Sequence, residues 1–176
     1  MTKTLYLLRH AKSAWSKPHL ADAERPLTAR GRKAGTRMGK AIARRGWVPE
    51  LVLCSTTART RETFKHLAKG LEKVMPGATP PVAFEDGLYL ADADALLARS
   101  RAVGDPLASA LILGHNTCLQ DFALALPAGG GPLVDKIAAK FPTAALAVIR
   151  FDIESWRDLV PGGGCLTDVL YPRDLD

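Results

Sequence analysis

The stretch Thr4-Leu5-Tyr6-Leu7-Leu8, followed at once by Arg9-His10, decides the fold of this 176-residue chain. The five leading residues are apolar, partly aromatic and free of Gly and Pro, which predicts a short, largely buried strand. Because charged groups are seldom fully buried without partners, Arg9 and His10 are expected where the strand opens on a cavity or on water. Taken alone, the pair is equally consistent with a basic surface group at the end of a strand.

Two further apolar segments end in the same way. The predicted strand 51–55 runs into a Ser/Thr cluster with the character of a helix N-cap, and Arg59 falls in the first turn of the next helix. The predicted strand 110–114 leads directly into His115. Ligands of open parallel sheets bind outside the carboxyl ends of the strands, so these residues should share one crevice. Two His and two Arg side chains gathered there favour a bound dianion such as a phosphoryl group.

Strands and helices alternate along the chain, which predicts an α/β fold: a three-layer α/β/α sandwich with a mostly parallel central sheet. The predicted strands are 4–8, 51–55, 81–84, 110–114 and 145–152, and the predicted helices are 28–45, 59–74, 92–102 and 117–126. The triple glycine at 129–131 is expected to open an irregular stretch. With no repeat or linker, the chain is expected to form a single domain over residues 1–176.

Composition excludes several classes of protein. No apolar run approaches the length of a membrane span, and the start of the chain lacks the pattern of a signal peptide. Three widely separated cysteines (Cys54, Cys118 and Cys165) suggest reduced thiols, so a cytoplasmic location is expected. No cluster of His, Cys and Asp has metal-ligand spacing, so neither a metal nor another cofactor is expected.

The net charge of +6 is concentrated on the predicted helix 28–45. Its basic residues are Arg30, Arg32, Lys33, Arg37, Lys40, Arg44 and Arg45. Such a cluster can attract acidic partners, including a phosphoprotein or nucleic acid, although a solvated helix face is the commoner explanation. Because the chain has no aromatic stacking signature and no zinc-finger spacing, a nucleic-acid partner is not expected.

Four blocks of the sequence resemble the signature of the histidine phosphatase (phosphoglycerate mutase-like) superfamily. In chain order they are Leu8-Arg9-His10-Ala11, Leu27-Thr28-Ala29-Arg30-Gly31-Arg32, Ser55 through Arg59 to Thr63, and Gly114-His115-Asn116. Ala11 stands where the family usually has Gly. The short length, Arg25-Pro26-Leu27 and the stretch 140–145 look like the SixA-type phosphohistidine phosphatase branch. The resemblance implies the phosphoglycerate mutase-like fold.

The resemblance also implies a role for the strand-terminal residues. His10 is the candidate nucleophile, because a neutral imidazole can attack phosphorus and form a phosphohistidine that water later hydrolyses. Nearby guanidinium groups disfavour an imidazolium ion and so help to keep His10 neutral. Arg9 and Arg59 are expected to hold the nonbridging oxygens of the phosphoryl group and to stabilise charge during transfer.

Other candidate residues surround this centre. His115 is expected to donate a hydrogen bond to the phosphoryl group, and Asn116 lies at a helix start, where backbone N–H groups favour anions. Ser16 occupies a position where many relatives place a polar phosphate contact. Many relatives also protonate the leaving oxygen with a Glu after the third block. Glu85 and Asp86 are the possible proton donors, or they are surface carboxylates at a strand end.

These expectations lead to one preferred function and two alternatives. The preferred function is that of a metal-independent phosphatase acting on a phosphorylated protein of the histidine phosphotransfer type, because few residues separate the blocks and the crevice should be shallow. A phosphate- or sulfate-type anion should occupy the crevice. The first alternative is a phosphomonoesterase of the same fold acting on a small phosphate ester. The second is a noncatalytic module that binds a phosphoprotein or nucleic acid.

Overall fold

A six-stranded sheet forms the centre of the computed structural model, which describes residues 2–175. The strands are β1 (Lys3–Arg9), β2 (Val52–Ser55), β3 (Val82–Glu85), β4 (Ser109–Gly114), β5 (Leu146–Phe151) and β6 (Cys165–Leu170). The helices are α1 (Ala29–Arg44), α2 (Ala58–Val74), α3 (Ala93–Arg101), α4 (Cys118–Ala125) and α5 (Pro132–Ala139). In this part of the chain, no helix combines the length and the apolar character that a membrane crossing needs.

The strand order is β3-β2-β4-β1-β5-β6. Strands β3, β2, β4 and β1 pair in parallel, whereas β5 is antiparallel to both β1 and β6. Within residues 2–175, β5 is therefore the strand that runs opposite to the other five. The predicted mostly parallel sheet is confirmed. Because β1, β4 and β2 are neighbours, their carboxyl ends lie side by side at one edge of the sheet.

Two apolar cores cover the two faces of the sheet, as the alternating side chains of β1 show. Leu5 and Leu7 are fully buried on the face covered by α3, α4 and α5. Tyr6 and Leu8 lie on the opposite face, where they pack with buried residues of α1 and α2. A strand with both faces buried reads as a continuous apolar run. The result is the predicted three-layer sandwich.

The predicted elements agree with the structure to within one residue at either end. Two elements were not predicted. Helix α5 occupies part of the stretch expected to be irregular, and it starts with Pro132 directly after Gly131, whose φ is 130°. Pro132 is a helix start signal, but the glycines directly before it predict an irregular segment. Strand β6 is mostly half-buried and meets β5 with a register shift between Val148 and Ile149, so its alternation is weak.

Glycines let α1 and α2 pack with their backbones almost in contact. A Cβ added at Gly39 would lie 2.1 Å from the carbonyl oxygen of Leu67, and one added at Gly35 would lie 3.5 Å from that of Thr63. The contact moves from Gly35 and Thr63 to Gly39 and Leu67, which is four residues further along each helix, so the two helices run parallel. Their N-termini therefore lie at the same end, beside the carboxyl ends of β1 and β2.

Candidate active site

The residues that end three strands meet at the carboxyl edge of the sheet. His10 follows β1, Arg59 lies in the first turn of α2, and His115 follows β4. The ring centroids of His10 and His115 are 5.4 Å apart. Tyr89 joins the cluster, because its ring lies 5.4 Å from that of His115 and 5.9 Å from the Arg59 guanidinium carbon. The structure thus brings together the two His and the α2 Arg that the sequence singled out.

Hydrogen bonds hold the imidazole of His10 in a defined tautomer. Its Nδ1 lies 2.7 Å from the carbonyl oxygen of Ala11. A carbonyl oxygen only accepts, so Nδ1 carries the proton and Nε2 keeps its lone pair. The backbone is fixed on both sides, because His10 N–H donates to Gly114 O and Ala11 N–H donates to the Thr63 hydroxyl. The ring is therefore prepared to act as a nucleophile through Nε2.

Both imidazoles are held neutral. Burial, with smaller contributions from His115, Arg9 and Arg59, lowers the pKa of His10 to about 3. Burial and the charge of Arg59 lower the pKa of His115 to about 4. Near neutral pH, the positive charge of the cluster therefore comes from its guanidinium groups, and the lone pair of His10 is free.

Three buried nitrogens of the cluster have no hydrogen-bond partner in residues 2–175: Arg9 Nε, Arg59 Nε and His115 Nδ1. The Ser55 hydroxyl lies 2.9 Å from His115 Nε2, and if it donates there, the proton resides on Nδ1. All three nitrogens are then donors. Because buried polar groups are nearly always hydrogen-bonded, such a group of unpaired donors suits an anionic ligand.

One wall of the site is built from residues 141 and 116. Arg9 Nη1 donates to the carbonyl oxygen of Phe141 at 3.0 Å, and Asn116 Nδ2 donates to the same oxygen at 3.2 Å. Asn116 Nδ2 also contacts Gln120 Oε1 at 3.2 Å. Asn116 therefore braces this wall through its side chain. Ser16 lies exposed on the loop after β1, where its hydroxyl makes no hydrogen bond with the described part of the chain.

Asp22, which the sequence analysis did not single out, joins the cationic cluster to the loop before α1. Arg59 donates to its carbonyl oxygen at 2.7 Å and to its Oδ2 at 2.9 Å. Tyr89 donates to the same Oδ2 at 2.6 Å, and Arg25 donates to Oδ1 at 3.0 and 3.1 Å. The hydrogen bond from Tyr89, followed by those from the two arginines, holds the pKa of Asp22 well below its usual range. The local pattern Asp22-x-x-Arg25 predicts an ion pair between these two residues but gives no indication of the contact with Arg59.

The two suggested proton donors are engaged elsewhere. Glu85 forms an ion pair with Arg99 of α3, with an Nε–Oε1 distance of 2.7 Å. Asp86 accepts a hydrogen bond from the Thr56 hydroxyl at 2.6 Å. Among the described residues, neither carboxylate hydrogen-bonds to His10, Arg59 or His115.

Residues 2–175 contain no group of three or more His, Cys, Asp or Glu side chains placed to hold a metal ion. The charged part of the cluster is instead made of guanidinium groups, with the carboxylate of Asp22 beside Arg59.

Comparisons with known proteins identify the family of the chain. The model of the histidine phosphatase superfamily (branch 1) matches residues 5–85. An uncharacterized protein of Mycobacterium tuberculosis is 34% identical over 170 residues, covering 94% of this chain and 100% of its own. An uncharacterized protein of Mycobacterium leprae is 34% identical over 154 residues, which cover 81% of this chain and 86% of that protein. The chain belongs to the histidine phosphatase superfamily, whose members are phosphatases.

Solved structures place the chain beside the SixA-type members of this superfamily. A protein from Nakamurella multipartitia, provisionally assigned as the phosphohistidine phosphatase SixA, has a TM-score of 0.82 and 28% identity, and the match covers 98% of this chain and 97% of that protein. One from Agrobacterium tumefaciens with the same provisional assignment has a TM-score of 0.79 and 28% identity, covering 97% and 98%. The protein histidine phosphatase SixA in complex with tungstate shares the fold, with a TM-score of 0.77, 21% identity and 97% and 98% coverage.

Proposed function

We propose that the protein removes phosphate from phosphohistidine on a phosphoprotein, through a covalent phosphohistidine intermediate on His10. The observation that carries this proposal is the hydrogen bond from His10 Nδ1 to Ala11 O. It directs the free lone pair to Nε2, and the low pKa keeps that lone pair unprotonated. Binding alone would not require a neutral, oriented imidazole among guanidinium groups, which argues against a noncatalytic module.

The proposed reaction has two steps. In the first, His10 Nε2 attacks phosphorus, the bond from phosphorus to the leaving nitrogen breaks, and the leaving group keeps the electron pair and carries a proton. In the second, water attacks the phosphorus of phospho-His10 and the Nε2 lone pair is restored as inorganic phosphate forms. Arg9, Arg59 and His115 would stabilise the equatorial oxygens in both steps. Because these donors offset the charge of the phosphoryl group, the reaction is proposed to need no metal.

The carboxylates near the candidate site support one substrate class over the other. An alkoxide must be protonated as it leaves, whereas an imidazole already protonated on its distal nitrogen leaves as a neutral ring. Glu85 and Asp86 are engaged by Arg99 and Thr56. Asp22 is held ionised, so it is a poor acid. These contacts support an N–P substrate over an alkyl phosphate.

A comparison of substrate classes tests the proposal. Initial rates are measured on a phosphohistidine peptide, p-nitrophenyl phosphate and a glycerol phosphate, for the wild type, His10→Ala and the control His19→Ala in an exposed loop. The expected result is fast turnover of phosphohistidine, slow turnover of the alkyl ester, and loss of both activities only in His10→Ala. Preferred turnover of the alkyl ester would instead support a small-molecule phosphomonoesterase.

A further inference from the structure

A cationic cleft adjoins the candidate active site. It has a volume of about 320 Å³ and runs between the loop after β1, the start of α1, the segment before β5 and the end of the chain. Its lining includes four cationic side chains and no carboxylate: Lys12, Arg30, Lys140 and Arg173. We define these four residues as the basic cleft.

The charges of the basic cleft are not neutralised within the molecule. None of its four side chains forms an ion pair with another residue of the range 2–175. The nearby carboxylate of Asp174 is already engaged, because it accepts from Lys136 at 2.8 Å and from the backbone N–H of Tyr171 at 3.0 Å. The four exposed cations therefore form a positively charged surface that an external anion can neutralise.

The start of α1 adds to this positive potential. Arg30 lies in its first turn, and that turn contains no acidic residue. Cations at a helix N-terminus are unfavourable, because the helix dipole is positive there. The first turn of α2 has the same character, with Arg59 in place and no acidic residue. At α2 this arrangement serves the candidate phosphate site, and at α1 it equally suits an anion.

Backbone contacts fix the basic cleft beside the candidate active site. Lys12 lies two residues after His10. A Cβ added at Gly31 would lie 2.2 Å from the carbonyl oxygen of Lys12, so the start of α1 packs directly against the backbone of Lys12. On the other side, Lys140 precedes Phe141, whose carbonyl oxygen accepts from Arg9.

An exposed aromatic side chain lies on the segment that follows Lys12. Trp15 is 76% exposed, and the guanidinium carbon of Arg25 lies 3.5 Å from its ring centroid. The segment that carries it pairs with the chain before α1, through a bridge between Ser13 and Leu27. Trp15 lies three positions after Lys12 in the sequence, which is at most about 10 Å along the chain. Exposed Trp residues beside arginines are typical anchors of protein interfaces.

We propose that the basic cleft and Trp15 form a docking surface for an acidic face of the phosphoprotein substrate. The inference rests on the proposed function, because docking there would bring a phosphohistidine to His10. Charge complementarity selects the partner: carboxylates of the substrate protein would neutralise the four unpaired cations, while its apolar side chains cover Trp15. A nucleic acid is the competing occupant and is separated by experiment.

The test uses two synthetic peptides of equal length, each with one phosphohistidine, flanked by Glu in one and by Gln in the other. The docking variant is Lys140→Glu/Arg173→Glu, and the control is Arg37→Glu/Arg44→Glu, which makes the same change in net charge on exposed α1 residues outside the cleft. We expect the wild type and the control to favour the Glu peptide by about tenfold in kcat/KM at low salt. The docking variant should lose this preference, while all three proteins hydrolyse p-nitrophenyl phosphate equally.

Binding of a labelled Glu peptide without phosphate, followed by fluorescence anisotropy, separates docking from catalysis. Docking predicts that it binds the wild type and control more tightly than the docking variant, even if no phosphohistidine is hydrolysed. Failure of turnover with intact binding would overturn the proposed function alone. Equal binding of the Glu and Gln peptides, or a single-stranded oligonucleotide that binds the cleft more tightly than the Glu peptide, would overturn the docking proposal.

Discussion

Arg59 and Asp22 are joined at two points, through the carbonyl oxygen and through the carboxylate of Asp22, with N–O distances of 2.7 and 2.9 Å. Each terminal nitrogen of the guanidinium thereby uses one of its two N–H groups, and the buried Nε has no partner among the described residues. A carboxylate next to a proposed phosphate clamp would ordinarily compete with substrate. Here it fixes the position of the clamp and cancels part of its charge.

Replacing Asp22 with Asn should lower kcat/KM by about 10²-fold on every substrate, because a misplaced clamp loses alignment in the transition state. The inhibition constant of tungstate should increase as well, because tungstate would bind less tightly to a misplaced clamp. A structural change remote from the site would not alter tungstate binding. Glu24→Gln, in the same short 3₁₀ turn (Asp22–Glu24), is the matched control and should behave like the wild type. Unchanged kinetics in Asp22→Asn would show that Arg59 needs no such support.

Replacing Arg59 with Lys should reduce turnover by about 10²–10³-fold, although the charge is kept, because one ammonium cannot contact both Asp22 and a phosphoryl oxygen in the fork geometry. Arg61→Lys is a suitable control, since Arg61 is exposed in the same helical turn and its Nε contacts Thr56 O. Steady-state kinetics on p-nitrophenyl phosphate would measure the turnover of both variants. Equal rates for the two variants would contradict the assignment of Arg59.

The carboxylates after β3 should matter little for phosphohistidine. Glu85→Gln and Asp86→Asn should each change its turnover by less than about threefold, since an imidazole leaving group needs little general-acid help. Glu85→Gln should mainly loosen the pairing with Arg99 of α3. A loss of about 10²-fold on glycerol phosphate alone would identify a proton donor and support the monoesterase.

Acid should destabilise the protein through His10. Its imidazole binds a proton near pH 6.5 when unfolded and near about 3 when folded, so the unfolded chain holds more protons between these values. The contribution of His10 to the free energy of unfolding is therefore fully present above the unfolded pKa. It decreases as the pH drops below that value, and the loss is about 2–3 kcal/mol at pH 4.5. Urea unfolding of His10→Gln should show a smaller loss between pH 7 and 4.5 than the wild type or His19→Gln. Identical pH dependence in all three would contradict the burial effect.

Much of the site could be predicted because its residues follow strands. An apolar run predicts a buried strand, and the end of the run marks the carboxyl edge of the sheet. His10 and His115 can therefore be assigned to this edge without knowledge of long-range contacts. Asp22 could not be placed in this way. It belongs to a short 3₁₀ turn in the loop before α1 and reaches Arg59 across 37 residues of sequence, through contacts that neither periodicity nor capping rules encode.

The same physical distinction explains the missed elements. Strand β1 is buried on both faces and its pattern is continuous, whereas β6 is an edge strand whose half-buried residues carry little pattern. Helix α5 has a clear start at Pro132, but the glycines before it favour an irregular stretch when only local sequence is considered.

The close packing of α1 against α2 at Gly39 and Leu67 has a consequence for recognition. Helices packed this closely clash if they slide past one another and lose buried contacts if they separate, so the spacing between the first turns that carry Arg30 and Arg59 is nearly constant. Under the proposed docking, a partner protein would have to present its acidic patch and its phosphorylated side chain at one set distance, and selectivity among phosphoproteins would then depend on that distance.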